Sequence, residues 1–139
     1  MALVGKGAFK LSELIIIGDR VLIEPVEDEQ TTRGGLVLPA AVAEGDLVRT
    51  GRIVKVGPGY LTANPEYSEE RPWVERRHAV RYLALQAEPG DYAFYLKREA
   101  VTIRYEKKMY VIVSHAAILA LVRPDPKDVI GRIDTLLNG

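Results

Sequence analysis

The chain has 139 residues, 47% apolar and 27% charged, with 19 Lys plus Arg balanced by 19 Asp plus Glu. That length and composition fit one globular domain, and a net charge of zero argues against nucleic acid as the main partner, since phosphate binding rests on excess cation. The absence of cysteine excludes disulfides, thiolate zinc sites and cysteine nucleophiles, and the expected compartment is cytoplasmic or an organelle matrix. The longest aliphatic run, Leu14-Ile15-Ile16-Ile17, is far too short to cross a bilayer, and the first residues lack the apolar core of a secretory signal, so no membrane partner is expected.

Residues 1–14 are mixed in character, and a frayed or weakly docked N-terminal arm is expected there. From Ile15 to Pro25 the run is β-branched and partly alternating, with Val21 and Ile23 on one face and Leu22 and Glu24 on the other. This predicts a strand that Pro25 ends. A second strand is expected within Asp46–Val56, stopped by Gly57-Pro58-Gly59. Residues 60–79 are irregular, broken by Pro65 and Pro72, and are expected to form a long excursion with Trp73 as a packing anchor. Strand character returns at Val80–Gln86, and Glu88-Pro89-Gly90-Asp91 reads as a turn. Strands follow at Tyr92–Leu96, Ala100–Tyr105 and Met109–Val113, the last two joined by Glu106-Lys107-Lys108. After a tight turn at Ser114–Ala117 comes Ile118–Val122. Short strands at this spacing predict a small all-β barrel. The C-terminus changes period. Asp125-Pro126 suits a helix start, and Val129, Ile130, Ile133, Leu136 and Leu137 share one apolar face, so a short docked α-helix is expected over 125–137.

Between the first two strands lies the stretch Arg33-Gly34-Gly35-Leu36-Val37-Leu38-Pro39. Polar residues precede it and small residues follow it. Gly34-Gly35 loosens the backbone and Pro39 biases Leu38 towards an extended conformation. Two readings are open. The triplet is a short core strand, or it is hydrophobic bait on a flexible tether spanning about 27–46.

Taken together, these pieces resemble the GroES-type co-chaperonins, the chaperonin-10 family. The resemblance starts at Asp19-Arg20-Val21-Leu22-Ile23 and continues through Gly34–Pro39 and Gly51-Arg52-Ile53-Val54-Lys55-Val56-Gly57-Pro58-Gly59. It takes in Pro89-Gly90-Asp91 and closes with Met109–Val113 and Ile118–Val122. Single pieces are common, but five in the family's order are specific. The resemblance covers residues 15–123 and implies a GroES-like barrel with a long mobile loop. It implies no enzyme but a co-chaperonin that caps a large ATP-driven, GroEL-type chaperonin ring and encloses folding substrate protein. Gly34, Gly35, Leu36, Val37, Leu38 and Pro39 would carry that contact. It further implies a homo-oligomer, a heptamer, closed through Ile15–Ile23 and Ile118–Val122. No cofactor of its own is implied, because ATP is bound by the partner chaperonin.

The chain departs from the family pattern in five places, the first being the dozen residues that precede the barrel. Residues 60–86 exceed the usual roof hairpin. His115-Ala116-Ala117 stands where acidic residues are usual, Glu106-Lys107-Lys108 replaces a glycine, and residues 124–139 add a helical extension. His78 and His115 read as a solvated loop residue and a turn residue rather than metal ligands. Gly57-Pro58-Gly59 lacks the Lys, Ser/Thr and helix of a phosphate loop. Medium-chain alcohol dehydrogenases share the barrel, but they need a nucleotide-binding domain and commonly cysteine-ligated zinc. A ring-forming adaptor that does not cap a chaperonin is the alternative.

Overall fold

The alternating runs pair into one curled, mostly antiparallel sheet, seen in a computed structural model that describes residues 2–3, 9–43, 45–65 and 79–124. Its strands are β1 (Ala2–Leu3), β2 (Arg20–Pro25), β5 (Ala41–Val42), β6 (Val48–Val56), β9 (Tyr92–Leu96), β10 (Val101–Tyr105), β11 (Lys108–Ser114) and β12 (Ile118–Val122). Neighbours run β1-β10-β11-β2-β6-β9-β12, with β5 added beside β6. Two small hairpins lie off this sheet: β3 (Gln30–Thr31) with β4 (Val37–Leu38), and β7 (Tyr60–Ala63) with β8 (Val80–Leu83). The described helical residues form 3-10 turns such as Leu11–Glu13, Lys97–Glu99 and His115–Ala117. The expected helix over 125–137, Trp73, His78 and the middle of the 60–79 excursion lie outside the described residues.

Period-two alternation sorts the side chains into two apolar layers. Val21, Ile23, Ile53, Ala93, Tyr95, Val111 and Val113 face inward and form the barrel core, with Leu85, Ala87 and Ala117 beside them. Leu22, Tyr110, Val54, Ile103 and Ile112 point the other way, where Leu11, Leu14 and Ile16 cover them. That outer layer explains why Val21-Leu22-Ile23 is apolar without a break. The strand is buried on both faces.

The arm from Phe9 onward is therefore docked rather than frayed. Phe9 stacks on Tyr105 with ring centroids 5.1 Å apart, the Tyr105 hydroxyl donates to the Phe9 carbonyl, and Lys55 Nζ donates to the Leu14 carbonyl at 2.8 Å. An outer sheet face this apolar gains roughly 25 cal/mol for each Å² taken from water, which favours covering it. The first strand also begins later than Ile15. Gly18, at φ +61°, and Asp19 turn the chain, so β2 starts at Arg20 and leaves Ile15 and Ile17 exposed on either side of buried Ile16.

Elsewhere the differences are local. Residues Tyr60–Ala63, expected within an irregular excursion, form a strand paired with Val80–Leu83, so the ends of the excursion are the two legs of a roof hairpin. The β10–β11 connection is a two-residue turn, Glu106-Lys107, with φ +47° and +67° and Tyr105 opposite Lys108. That mirror-image turn matches strand twist but suits glycine or asparagine better than these residues. Gly57 is fixed by a close approach, since a Cβ there would meet the Gly18 carbonyl oxygen at 2.2 Å.

A half-buried ion pair closes the far end. Arg123 Nε and Nη2 donate to the two carboxylate oxygens of Asp91 at 2.8 Å each, and the Glu88 N–H donates to Asp91 Oδ2 at 2.9 Å. Burial pushes the Asp91 carboxyl up, but the Arg123 and Glu88 hydrogen bonds and the Arg123 charge outweigh it and hold the group below its ordinary value.

Candidate functional site

The loop between β2 and β6 is anchored at both ends on one residue of β6. The Val26 N–H donates to the Thr50 carbonyl at 2.9 Å, and the Thr50 N–H donates to the Ala40 carbonyl at 3.3 Å. β5 then lies along β6, with Ala41 opposite Arg49 and Val42 opposite Val48. Thr50 is fully buried, and its hydroxyl takes no hydrogen bond from the described residues.

Between these anchors the chain forms a small hairpin, neither a core strand nor a free tether. Gln30 pairs with Leu38 and Thr31 with Val37. Thr32 closes the turn through three contacts. Its N–H donates to the Leu36 carbonyl at 2.8 Å, its carbonyl accepts from the Gly35 N–H at 3.0 Å, and its Oγ1 accepts from the Leu36 N–H at 3.1 Å. Gly35 sits at φ +88°, so the second glycine of the pair is there for conformation. A threonine two residues before a glycine pair is a readable turn signal. Thr50 gave no such signal, because its role depends on residues far away in the chain.

The six candidate residues do not share one environment. Gly34 and Gly35 are exposed, and Pro39 is half-buried. Leu36 is 50% exposed and Val37 48%, whereas Leu38 is fully buried. The triplet is thus neither wholly bait nor wholly core. Leu36 and Val37 are displayed, and Leu38 is held in the fold, a split that neither the core-strand nor the bait reading contains. The hairpin tip also stays near its own barrel, since Arg33 shares the wall of a cleft with Arg52, Tyr92 and Arg123.

His115 has a different position from the one expected for a simple turn residue. Its Nε2 accepts from the Ala87 N–H at 3.3 Å, and its Nδ1 meets the Tyr60 hydroxyl at 3.0 Å. Because a backbone N–H only donates, Nε2 carries no proton in this arrangement and Nδ1 does. His115 thereby ties the roof hairpin to the barrel. Arg81 is exposed on β8.

The chain matches the family model described as Chaperonin 10 Kd subunit over residues 13–122. It is 34% identical over 106 residues to a protein of Halalkalibacterium halodurans named co-chaperonin GroES, covering 76% of this chain and 95% of that protein. A co-chaperonin GroES of Geobacillus kaustophilus is 32% identical over 107 residues, covering 77% of this chain and 97% of the relative. A third, from Shouchella clausii, is 29% identical over 106 residues, covering 76% of this chain and 95% of the relative.

Proposed function

The chain belongs to the chaperonin 10 kDa subunit family, and from that premise we propose that it is a co-chaperonin whose β3–β4 hairpin carries the contact with a large chaperonin ring. The observation that supports the hairpin's role is the exposure of Leu36 and Val37 side by side beyond a turn fixed by Thr32. Two half-exposed aliphatic side chains gain on the order of 2–3 kcal/mol when an apolar groove covers them. A tether of ten disordered residues would lose more than that, at about 1–2 kcal/mol of backbone entropy each. In a formed hairpin most of that ordering is already in place, so the small gain is usable.

One such contact is still weak, and a ring of identical loops makes the later contacts intramolecular. The ring we propose is a heptamer closed through the outer edge of β12, which among the described residues has β9 as its one sheet neighbour, and through Ile15 and Ile17. Val21 and Ile23 belong to the subunit's own core, so the contact surface is narrower than the whole Ile15–Ile23 run. The partner is a GroEL-type chaperonin, and ATP binding belongs to that partner. The test is a pull-down on such a chaperonin with and without ATP. Wild type is retained with nucleotide, and the double variant Leu36→Asp, Val37→Asp is lost at unchanged melting temperature. Retention of that variant would remove the hairpin from the contact.

A further inference from the structure

The open end of the barrel beside the loop root is a cavity of about 560 Å³, within the size range of small-molecule sites. Its wall has a clear origin in the alternation of the strands. Pro25, Arg49, Tyr95, Thr102, Met109 and Val111 stand at inward positions of five strands, in register with the core pairs Ile23–Ile53 and Gly51–Ala93. Lys97 and Ala100 enter from the β9–β10 connection, and Val26, Glu27 and Ala40 from the two ends of the loop. Five of these, Val26, Ala40, Ala100, Met109 and Val111, give an apolar lining.

Arg49 is out of place in such a wall. It lies directly opposite Tyr95 on the inner face, is half-buried, and has no carboxylate partner among the described residues. A half-buried guanidinium is normally matched by an anion. Tyr95 beside it does not serve. Burial pushes its phenol up to about 12 despite the nearby Arg49 charge, so it stays neutral near pH 7 and is a hydrogen-bonding group. Lys97 adds a second cation at the rim, against the single carboxylate of Glu27.

We propose that this end of the barrel binds a small anion with an apolar body, its head group on Arg49 and Lys97 and its body against Val26, Met109 and Val111. The site stands on the barrel's geometry and is independent of the capping role. Its position gives it a consequence for the loop. Pro25–Glu27 and Ala40 are the loop's own ends, held by Thr50 of the same wall, so an occupied site stiffens the root from which the hairpin is displayed.

Anilinonaphthalene sulfonate, an aromatic body with one anionic group, is the probe, and phenylnaphthylamine is its neutral counterpart. Titrations of the full chain are followed by fluorescence and by amide chemical shifts. The expected result is saturable binding with the largest shifts at Tyr95, Ala100, Thr102 and Met109, and a loss of about tenfold in affinity in Arg49→Gln, the size of one charge-assisted hydrogen bond. The neutral probe should bind wild type and Arg49→Gln alike, and more weakly than the sulfonate binds wild type. Lys97→Gln changes an exposed position, and a weakening of about threefold there tests the head group even if Arg49→Gln fails to fold. Shifts centred instead on Leu61, Tyr82 or Leu119, or equal sulfonate affinity in wild type and both variants, overturn the proposal.

Discussion

The loop hairpin, Gln30–Thr31 with Val37–Leu38, and the roof hairpin, Tyr60–Ala63 with Val80–Leu83, are both two-stranded and both lie off the main sheet. They treat apolar residues in opposite ways. The loop hairpin hides Leu38 and the methyl-bearing Thr32 and shows Leu36 and Val37. The roof hairpin hides none of its large apolar residues. Leu61 and Tyr82 are direct cross-strand partners on one face, Val80 stands next along it, and all three are exposed. Their attachments differ too. The loop hairpin is rooted at both ends on the backbone of Thr50, whereas the roof hairpin is tied by Gly59 N–H to the Gly18 carbonyl at 2.9 Å and by Tyr60 to His115. A hairpin that stores one apolar side chain is shaped by its own subunit. One that displays all of them depends on its feet for its position.

The largest expected effect tests the stored residue. Leu38→Asp puts a charge where the side chain has no exposure, costing the hairpin about 3–5 kcal/mol. Protection of the Thr32, Gly35 and Leu36 amides from hydrogen exchange should be lost. Leu61→Asp, at an exposed roof position, should change stability by no more than about 0.5 kcal/mol. If Leu38→Asp keeps its hairpin amides protected, the burial of Leu38 does not shape the loop and the contrast fails.

The next effect concerns the roof's second leg, which runs from Leu83 through Gln86 to the Asp91–Arg123 pair. Arg123 Nη2 donates to the Gln86 carbonyl at 3.1 Å as well as to Asp91. Asp91 is almost wholly buried, but the Arg123 side chain is 50% exposed, so solvent screening reduces what the pair is worth. We expect Asp91→Asn to cost about 2 kcal/mol at neutral pH. The folded-state carboxyl sits below its unfolded value, so the stabilisation is present above roughly pH 4 and is lost as pH falls through the folded value. Wild-type stability should therefore fall more steeply than that of Asp91→Asn below about pH 4. Parallel acid curves would remove the pair from the account. The loop hairpin, rooted on Thr50, should keep its protection in this variant.

How much of this was legible in the sequence follows the range of the interactions. Tyr92–Leu96 and Ile118–Val122 are strands over the same residues that short apolar runs between turns indicated, because run length and turn residues are local information. The glycine pair and the apolar triplet also marked the loop. The split within the triplet was not legible, since the two ends of the loop meet only on Thr50, which is distant in the chain from Val26. Docking of the arm was hidden for a related reason. Leu11, Leu14 and Ile16 show no period of their own and make sense only against Leu22, Val54 and Ile112 on the outer face of the sheet. In the roof region, prolines and charges masked the strand Tyr60–Ala63, whose partner Val80–Leu83, expected within Val80–Gln86, lies across the excursion.

The smallest expected effect is the most specific to the roof's foot. Tyr60→Phe removes the hydroxyl that meets His115 Nδ1 and leaves the ring, which makes an edge contact with the imidazole at 6.0 Å between centroids. A single partly exposed hydrogen bond of this kind is worth about 0.5–1.5 kcal/mol, too little to move global melting far. Its loss should nevertheless raise exchange at the amides paired across β7 and β8, and leave those of Thr32 and Leu36 unchanged. The His115 tautomer gives an independent reading. Nitrogen shifts should place the proton on Nδ1 in wild type, because Nε2 is the acceptor for Ala87, and should keep it there in Tyr60→Phe. A proton found on Nε2 would mean that the Ala87 bond is not made. Nδ1 would then accept from the Tyr60 hydroxyl instead of donating to it, and Tyr60→Phe should still raise roof exchange.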